Sequence, residues 1–228
     1  MAEGRTWRSF LFELVIVVLG VLIALALGDL AEDLRWKQAV GLARKSLAAE
    51  MAYNNSFFQD RLAAASCLER RIDTVAALIE EVDRTHRIDR VKGVALLPGR
   101  RLEDSQWQSE RASGVLTHFP RQELTKLGRY YVQLGDFHNW IADESNAWIS
   151  LGVLENGPKR FSDFDIALLR RDVERARRLE YLVKLNARRQ LEVSRELGVI
   201  AGPANPSWKD RVCPPFRGEG DTSKVSPN

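Results

Sequence analysis

The chain has 228 residues and a formal net charge of +3, with 45% apolar and 29% charged side chains. That balance is globular: it provides for a sizeable core and excludes a low-complexity or wholly disordered chain. Lysine and arginine total 34 against 31 acids, so the basic pI is set by a few residues and gives no ground for a nucleic-acid partner. The densest basic run, Arg170 to Arg189, is interleaved with Asp172, Glu174 and Glu180. Glu174 with Arg178 and Glu180 with Lys184 stand four apart, the pattern of a solvated helix face rather than of a basic stripe.

Residues 1–9 form a short N-terminal tail that carries Arg5 and Arg8, with Trp7 at the edge of the adjoining apolar run. Phe10 to Leu27 reads FLFELVIVVLGVLIALAL, interrupted only by Glu13. As a helix these residues reach about 27 Å, close to the hydrocarbon thickness of a bilayer, and residues 10–28 are expected to be a transmembrane helix whose solvent is lipid. A signal peptide competes with this reading, because the n-region is basic and Ala24-Leu25-Ala26 has the small-x-small form of a cleavage site. Glu13 inside the apolar run, and helical spacing that continues past Gly28 through Leu30, Leu34 and Trp36, favour an uncleaved anchor. Arg5 and Arg8 before the span, and Asp29, Glu32 and Asp33 after it, favour an N-terminus inside and a bundle outside the cytoplasm; Arg35, Lys37, Arg44 and Lys45 weigh the other way, although long domains translocate largely regardless of charge.

Gly20, Ala24 and Gly28 recur every four residues, a small-residue stripe that lets two helix backbones approach in lipid. Glu13 lies seven residues before Gly20, on nearly the same face, and a carboxyl group at membrane depth favours protein or water over acyl chains. Homodimerisation or a partner membrane helix is the expectation from these four residues; the bland alternative is that Glu13 reaches back to the interface and the glycines are incidental.

The stretch Glu13-LVIVVL-Gly20-VLIAL-Ala26, followed by acidic residues and a Trp, resembles the N-terminus of a class of uncharacterised bacterial single-pass membrane proteins that open with Glu, an apolar run and Gly-Ile-Leu-Ile-Ala-Leu. Phe12 stands where a small residue is usual, and Gly28-Asp29-Leu30 replaces an Asn-rich exit. The resemblance covers residues 8 to 45. It implies a bacterial membrane address and carries no activity, cofactor or site residue; with the topology above, the expected location is the bacterial cytoplasmic membrane.

Residues 29–199 are expected to be a helical bundle domain. From Trp36 to Val82 apolar residues keep a three-to-four spacing through Val40, Ala43, Leu47, Met51, Phe58, Leu62, Ala65, Ile72, Val75, Ile79 and Val82, which predicts a long amphipathic helix. A break is expected within so long a run, and Asn54-Asn55-Ser56 is the best place for one, since their side chains compete for backbone hydrogen bonds; the same residues would also suit a polar core position. Arg84 to Arg101 reads as a connection with Val91 to Leu97 extended. A short helix follows Asp104 or Ser105, and Pro120 suits the start of a helix running to about Leu154, with Leu134, Phe137, Ile141, Trp148 and Leu151 on one side. Gly157-Pro158 ends it. Ser162 is the N-cap expected for a third long helix, with Ile166, Leu169, Val173, Ala176, Leu179, Leu182 and Leu185 inward and Gly198 as terminator. Residues 200–228, rich in Pro, Gly and Ser, are expected to be a mostly disordered tail. The fold class is therefore all-α: an N-terminal transmembrane helix followed by an antiparallel helical bundle.

Chemistry-bearing motifs are sparse. Cys67 and Cys213 fit no zinc spacing; outside the cytoplasm they would be able to pair, tying the tail to the first bundle helix. His86, His118 and His138 have no helical His or Glu partner at metal-ligand spacing, and no nucleophile elbow, phosphate loop or dinucleotide fingerprint occurs. Trp107, Tyr130, Tyr131, Trp140 and Trp148 read as core before they read as a ligand pocket. No catalytic, cofactor-binding or metal residue is assigned. The expected function is a non-enzymatic, membrane-anchored interaction or sensing module, which with some nine residues inside would act through a partner; a helical-bundle enzyme and a cleaved, soluble exported protein are the alternatives.

Overall fold

The computed structural model describes residues 3–218 apart from 90, 96, 97, 158, 203, 204, 206, 207, 209–211 and 214–216. Leu97, Pro158 and most of the expected tail lie outside the described residues. The fold is all-α. Helix α1 runs over Glu3–Thr85, 83 residues without interruption. It is followed by β1 (Arg87–Ile88), β2 (Val91–Lys92), α2 (Ser105–Ser113), a 3-10 turn over Val115–His118 and α3 (Arg121–Leu151). A second 3-10 turn over Gly152–Asn156, β3 (Lys159–Arg160), α4 (Asp163–Glu196) and β4 (Arg217–Gly218) complete it.

The first third of α1 is exposed on every side: the apolar side chains from Phe10 to Leu34 are all open to solvent. By length and composition this part of the helix is able to cross a membrane. From Val40 onward the same helix becomes one wall of the bundle, burying Val40, Ala43, Leu47, Met51, Phe57, Phe58, Ala64, Leu68, Ile72, Val75, Ile79 and Val82. The break expected at Asn54-Asn55-Ser56 is absent: both asparagines find partners across the bundle, while Ser56 donates to Tyr53 O one turn back and accepts from Arg100. Asn54 brackets the peptide at Glu103, donating to its carbonyl (2.7 Å) and accepting from its amide (2.8 Å). Asn55 Oδ1 accepts from Tyr130 and Ser194. With both groups of Asn54 and the Asn55 carbonyl engaged across the bundle, these oxygens do not compete for the helix backbone amides.

Helix α4 lies antiparallel to α1, as the cross-pairs Arg170–Asp83, Arg177–Asp73 and Ser194–Asn55 show. Helix α3 lies parallel to α1, since Glu123, Tyr131 and Glu144 meet Arg44, Glu50 and Arg61 in that order. A parallel pair needs a crossover, and the described residues between 86 and 104 supply it. This segment returns along α1, with Pro98 O and Leu102 O accepting from Arg61 (3.1 Å) and from His138 Nε2 (3.2 Å). It buries Val94 and Leu102 and closes the side of the bundle that three helices leave open. A Cβ on Gly99 would collide with the Ile141 side chain, so only glycine lets the crossover lie this close to α3.

The ends of α4 are set by local chemistry. Ser162 Oγ accepts from Asp165 N (3.2 Å) while Asp165 accepts from Ser162 N (2.9 Å), a reciprocal capping box. At the other end Gly198 takes a left-handed φ of 73°. Val199 N donates to Ser194 O and Gly198 N to Arg195 O, the paired bonds of a Schellman ending. The buried face of α4 departs from expectation after Leu179. Leu182 and Leu185 are only half-buried, while Val183, Asn186, Ala187, Gln190, Leu191 and Ser194 point inward. The packing follows the 3.6-residue period through polar positions, where the run of leucines suggested another face.

Within the stretch expected to be a loose tail, Trp208 and Val212 are buried and Cys213 is joined to Cys67 by a disulfide. The described residues here, 199–202, 205, 208, 212 and 213, form a strap along α1. Gly202 N donates to Ala52 O (3.2 Å), Asn205 N to Asp60 Oδ1 (2.6 Å), and Trp208 packs edge-on against Phe57. Burial of apolar side chains and a covalent staple order chain whose composition reads as loose.

Candidate functional site

The four residues singled out in the span lie on one exposed helix and meet nothing within the chain. Glu13, Gly20, Ala24 and Gly28 are all exposed, and a Cβ built on Gly20 or Gly28 would have no neighbour within 4 Å. The structure does not bring them together with any part of the bundle. Cys67 and Cys213 are brought together, with Cα atoms 6.2 Å apart.

The histidines and aromatics are structural. His118 stacks on Trp36 with ring centres 3.9 Å apart, closing the end of the bundle nearest the span. His86 caps the far end of α1, its amide donating to Val82 O. Trp148, Tyr130 and Tyr131 are buried, Trp107 stacks on Tyr131, and Trp140 packs against Phe137. Among the described residues no group of three or more His, Cys, Asp or Glu side chains is gathered to hold a metal ion.

What composition and motif left unmarked is a polar spine through the bundle. Nearest the span, Glu50 of α1 accepts from Tyr131 Oη at 2.8 Å and from the Gln106 and Trp107 amides at 2.7 and 3.3 Å. A carboxylate from another helix thus caps α2, where orphan amides and the helix dipole favour negative charge. Burial and the adjacent Glu50 carboxylate both push the Tyr131 hydroxyl above its ordinary pKa, so it stays a donor. One turn along, Asn55, Tyr130, Ser194 and Gln190 interlock. Tyr130 and Ser194 donate to Asn55 Oδ1 at 3.2 and 3.1 Å, and Gln190 Nε2 donates to Tyr130 O at 2.9 Å.

Midway along the bundle Arg61 is fully buried between two carboxylates. It donates to both oxygens of Glu144 at 2.9 Å and also to Glu180. All three side chains are at most 2% exposed. The two carboxylates hold the guanidinium proton against the opposing effect of burial, and the Arg61 pKa lies above its ordinary value. Glu180 is pushed up to about 7, chiefly by burial and secondarily by Glu144, with Arg61 pulling against both. One guanidinium facing two carboxylates is an overall acidic site in low dielectric, which favours a proton on one carboxylate. The site is closed to solvent, so its chemistry is structural and proton-holding rather than substrate-directed.

Two sequence expectations are corrected here. Glu180 pairs with Arg61 and not with Lys184 on a solvated face; Lys184 reaches Glu69 of α1 instead. Glu174 pairs with Arg177. The sequence carried a signal for the buried triad: Arg61 follows Phe58 by three on the apolar stripe of α1, and Glu144 stands between Ile141 and Trp148 on that of α3. A charge at a core position needs a partner.

Beside the polar spine lies a cavity of about 350 Å³ between α1, α4 and the start of the strap, lined by Asn55, Gln59, Leu191, Arg195 and residues 198–201. None of the aromatic residues considered in the sequence lines it.

No protein-family model, no curated protein and no solved structure matches the chain.

Proposed function

We propose that the chain is a non-enzymatic, single-pass membrane protein of a bacterial cytoplasmic membrane, with its N-terminus inside and its helical bundle outside the cytoplasm, acting by contact with a partner or a ligand. One observation carries this reading. A single uninterrupted helix is apolar and exposed on all sides over its first third and amphipathic and packed thereafter. Exposed leucine, isoleucine and valine over that length have a favourable environment in lipid and an unfavourable one in water. The helix continues through Ala24-Leu25-Ala26 without extended chain, which favours retention over cleavage. The disulfide between Cys67 and Cys213 favours an oxidising compartment for the bundle. Against an enzyme stands the closure of the Arg61, Glu144 and Glu180 cluster to solvent.

Glu13, Gly20, Ala24 and Gly28 form the face by which the span meets a second copy or another membrane helix; they are unpartnered within the chain, and their spacing suits close helix approach.

Alkaline extraction of membranes tests the anchor: the full-length polypeptide remains with the vesicles, and its release into the supernatant would overturn the reading. Labelling the reduced cysteines of intact cells with a membrane-impermeant thiol reagent tests the side. Labelling before lysis is expected, and labelling only after lysis would place the bundle in the cytoplasm.

A further inference from the structure

We propose that the length of α1 between the span and the bundle pairs with the same length of a second copy of this chain, as a short parallel two-stranded coil closed by Leu27, Leu30 and Leu34. The inference rests on the second-copy form of the proposed function and carries that contact out of the bilayer.

Between Gly28 and Trp36 the chain is a bare helix. Asp29 to Arg35 are all exposed, over about 10 Å of helical rise. The bundle starts only where Trp36 stacks on His118 and Val40 is buried. In this stalk Asp29, Glu32, Asp33 and Arg35 are charged. Glu32 pairs with Arg35, and Asp33 with Lys37, on the same helix. Charges on several sides at one height belong in water rather than in hydrocarbon, so acyl chains are a poor cover for the leucines between them. Leu30 and Leu34 are nevertheless 55% and 58% exposed. Leaving such side chains in water is unfavourable, and no described part of the chain packs on them.

The spacing selects the partner. Gly20, Ile23, Leu27, Leu30 and Leu34 follow one another at three, four, three and four positions, the seven-residue repeat of a two-stranded coil. Inside the span nearly every side chain is apolar, and the repeat carries no information there. Above Leu27 it does, because Leu30 and Leu34 are the only large apolar side chains from Gly28 to Arg35 and both fall on it. In this register Asp29, Glu32 and Arg35 stand at positions that turn away from a partner, and the flanks of the seam are Ala31 and Asp33. Two copies anchored through one bilayer run parallel at equal height. Each leucine then meets its own counterpart, and no acid meets its own at the seam, so the face is complementary to itself.

The seam has defined limits. Lys37, at its next position, is held by Asp33 of the same helix at 3.3 Å and marks the upper end. Below, it takes in Gly20 of the small-residue face, runs beside Ala24 and leaves Gly28 to one side, since the four-residue spacing turns away from the seven-residue one.

Cysteine placed singly at Gly28, Asp29, Leu30, Glu32 or Leu34 of the full-length protein, with the bridge between Cys67 and Cys213 left intact, and oxidised in native membranes with copper phenanthroline tests this. All of these positions are exposed, so the bundle is undisturbed. Leu30→Cys and Leu34→Cys are expected to give a product of twice the chain mass on non-reducing gels, severalfold above Gly28→Cys, Asp29→Cys and Glu32→Cys. Adding Leu30→Glu to Leu34→Cys is expected to suppress that product severalfold while the thermal unfolding midpoint of the bundle is unchanged. Equal yields at every position, no dimer, a product of another mass or a maximum at Gly28→Cys would overturn the proposal. A maximum at Gly28→Cys in a protein that resists alkaline extraction keeps the small-residue contact and refutes the stalk alone. Release by alkali removes the anchored reading and the seam with it.

Discussion

Glu50 of α1 and Tyr131 of α3 are joined across the bundle by a 2.8 Å hydrogen bond, and the same carboxylate receives the first amides of α2. Three elements therefore depend on one side chain that is 5% exposed. Glu50→Ala leaves a buried hydroxyl and two helix-end amides without an acceptor and is expected to destabilise the domain by roughly 2–4 kcal/mol. Glu50→Gln keeps an acceptor oxygen and is expected to lose about half as much. Urea unfolding of the two variants, with equal m-values, measures the difference.

Arg61 separates Glu144 from Glu180. Arg61→Met removes the only cation of a buried triad and leaves two carboxylates facing each other, with an expected loss of about 3–5 kcal/mol. Combining it with Glu144→Leu and Glu180→Leu removes the charges together, and most of that loss is expected to be recovered. A triple variant as unstable as the single one would mean that the triad stabilises the bundle on balance.

The raised Glu180 makes stability depend on pH. Its carboxyl titrates at about 7 in the folded state against an ordinary value of 4.5. Between those values the folded protein binds the extra proton, so the contribution is fully present below pH 4.5 and is lost as pH rises through 7. The span of the shift corresponds to about 3 kcal/mol. Glu180→Gln, which cannot ionise, is expected to remove this dependence. Denaturant midpoints of both proteins compared from pH 5 to pH 8 should therefore diverge, with the unaltered protein weakening toward pH 8. Parallel profiles would show that Glu180 stays ionised throughout.

The disulfide between Cys67 and Cys213 spans 146 positions. By the chain-entropy argument, Cys67→Ser with Cys213→Ser is expected to lower stability by about 3–5 kcal/mol. Trp208, which packs on Phe57, becomes more accessible as the strap loosens. A red shift in tryptophan emission and faster proteolysis between residues 199 and 213 check this, and both are expected in the unaltered protein on reduction.

The amino-acid pattern made the helices legible because they obey one period. The stripe from Val40 to Val82, the Ser162 cap and the Gly198 ending each follow from local rules, and each is present. The polar spine was not legible for the same reason. Asn54, Asn55, Arg61, Glu144 and Glu180 become intelligible only through partners from 49 to 139 positions away, and a single-helix pattern holds no information on such pairs. The parallel run of α1 and α3 was hidden likewise. Short connections imply antiparallel neighbours, and nothing local marks residues 86–104 as a crossover rather than a loop.

The unbroken course of α1 has a mechanical consequence. The same hydrogen-bonded rod that begins among the apolar residues of the span supplies Asn55 and Gln59 to the cavity wall, about 40 Å beyond Gly28 by helical rise. With no hinge between them, rotation of one end turns the other as a shaft turns its load. Under the proposed anchoring, whatever grips the helix in a bilayer sets the angle at which the bundle presents itself.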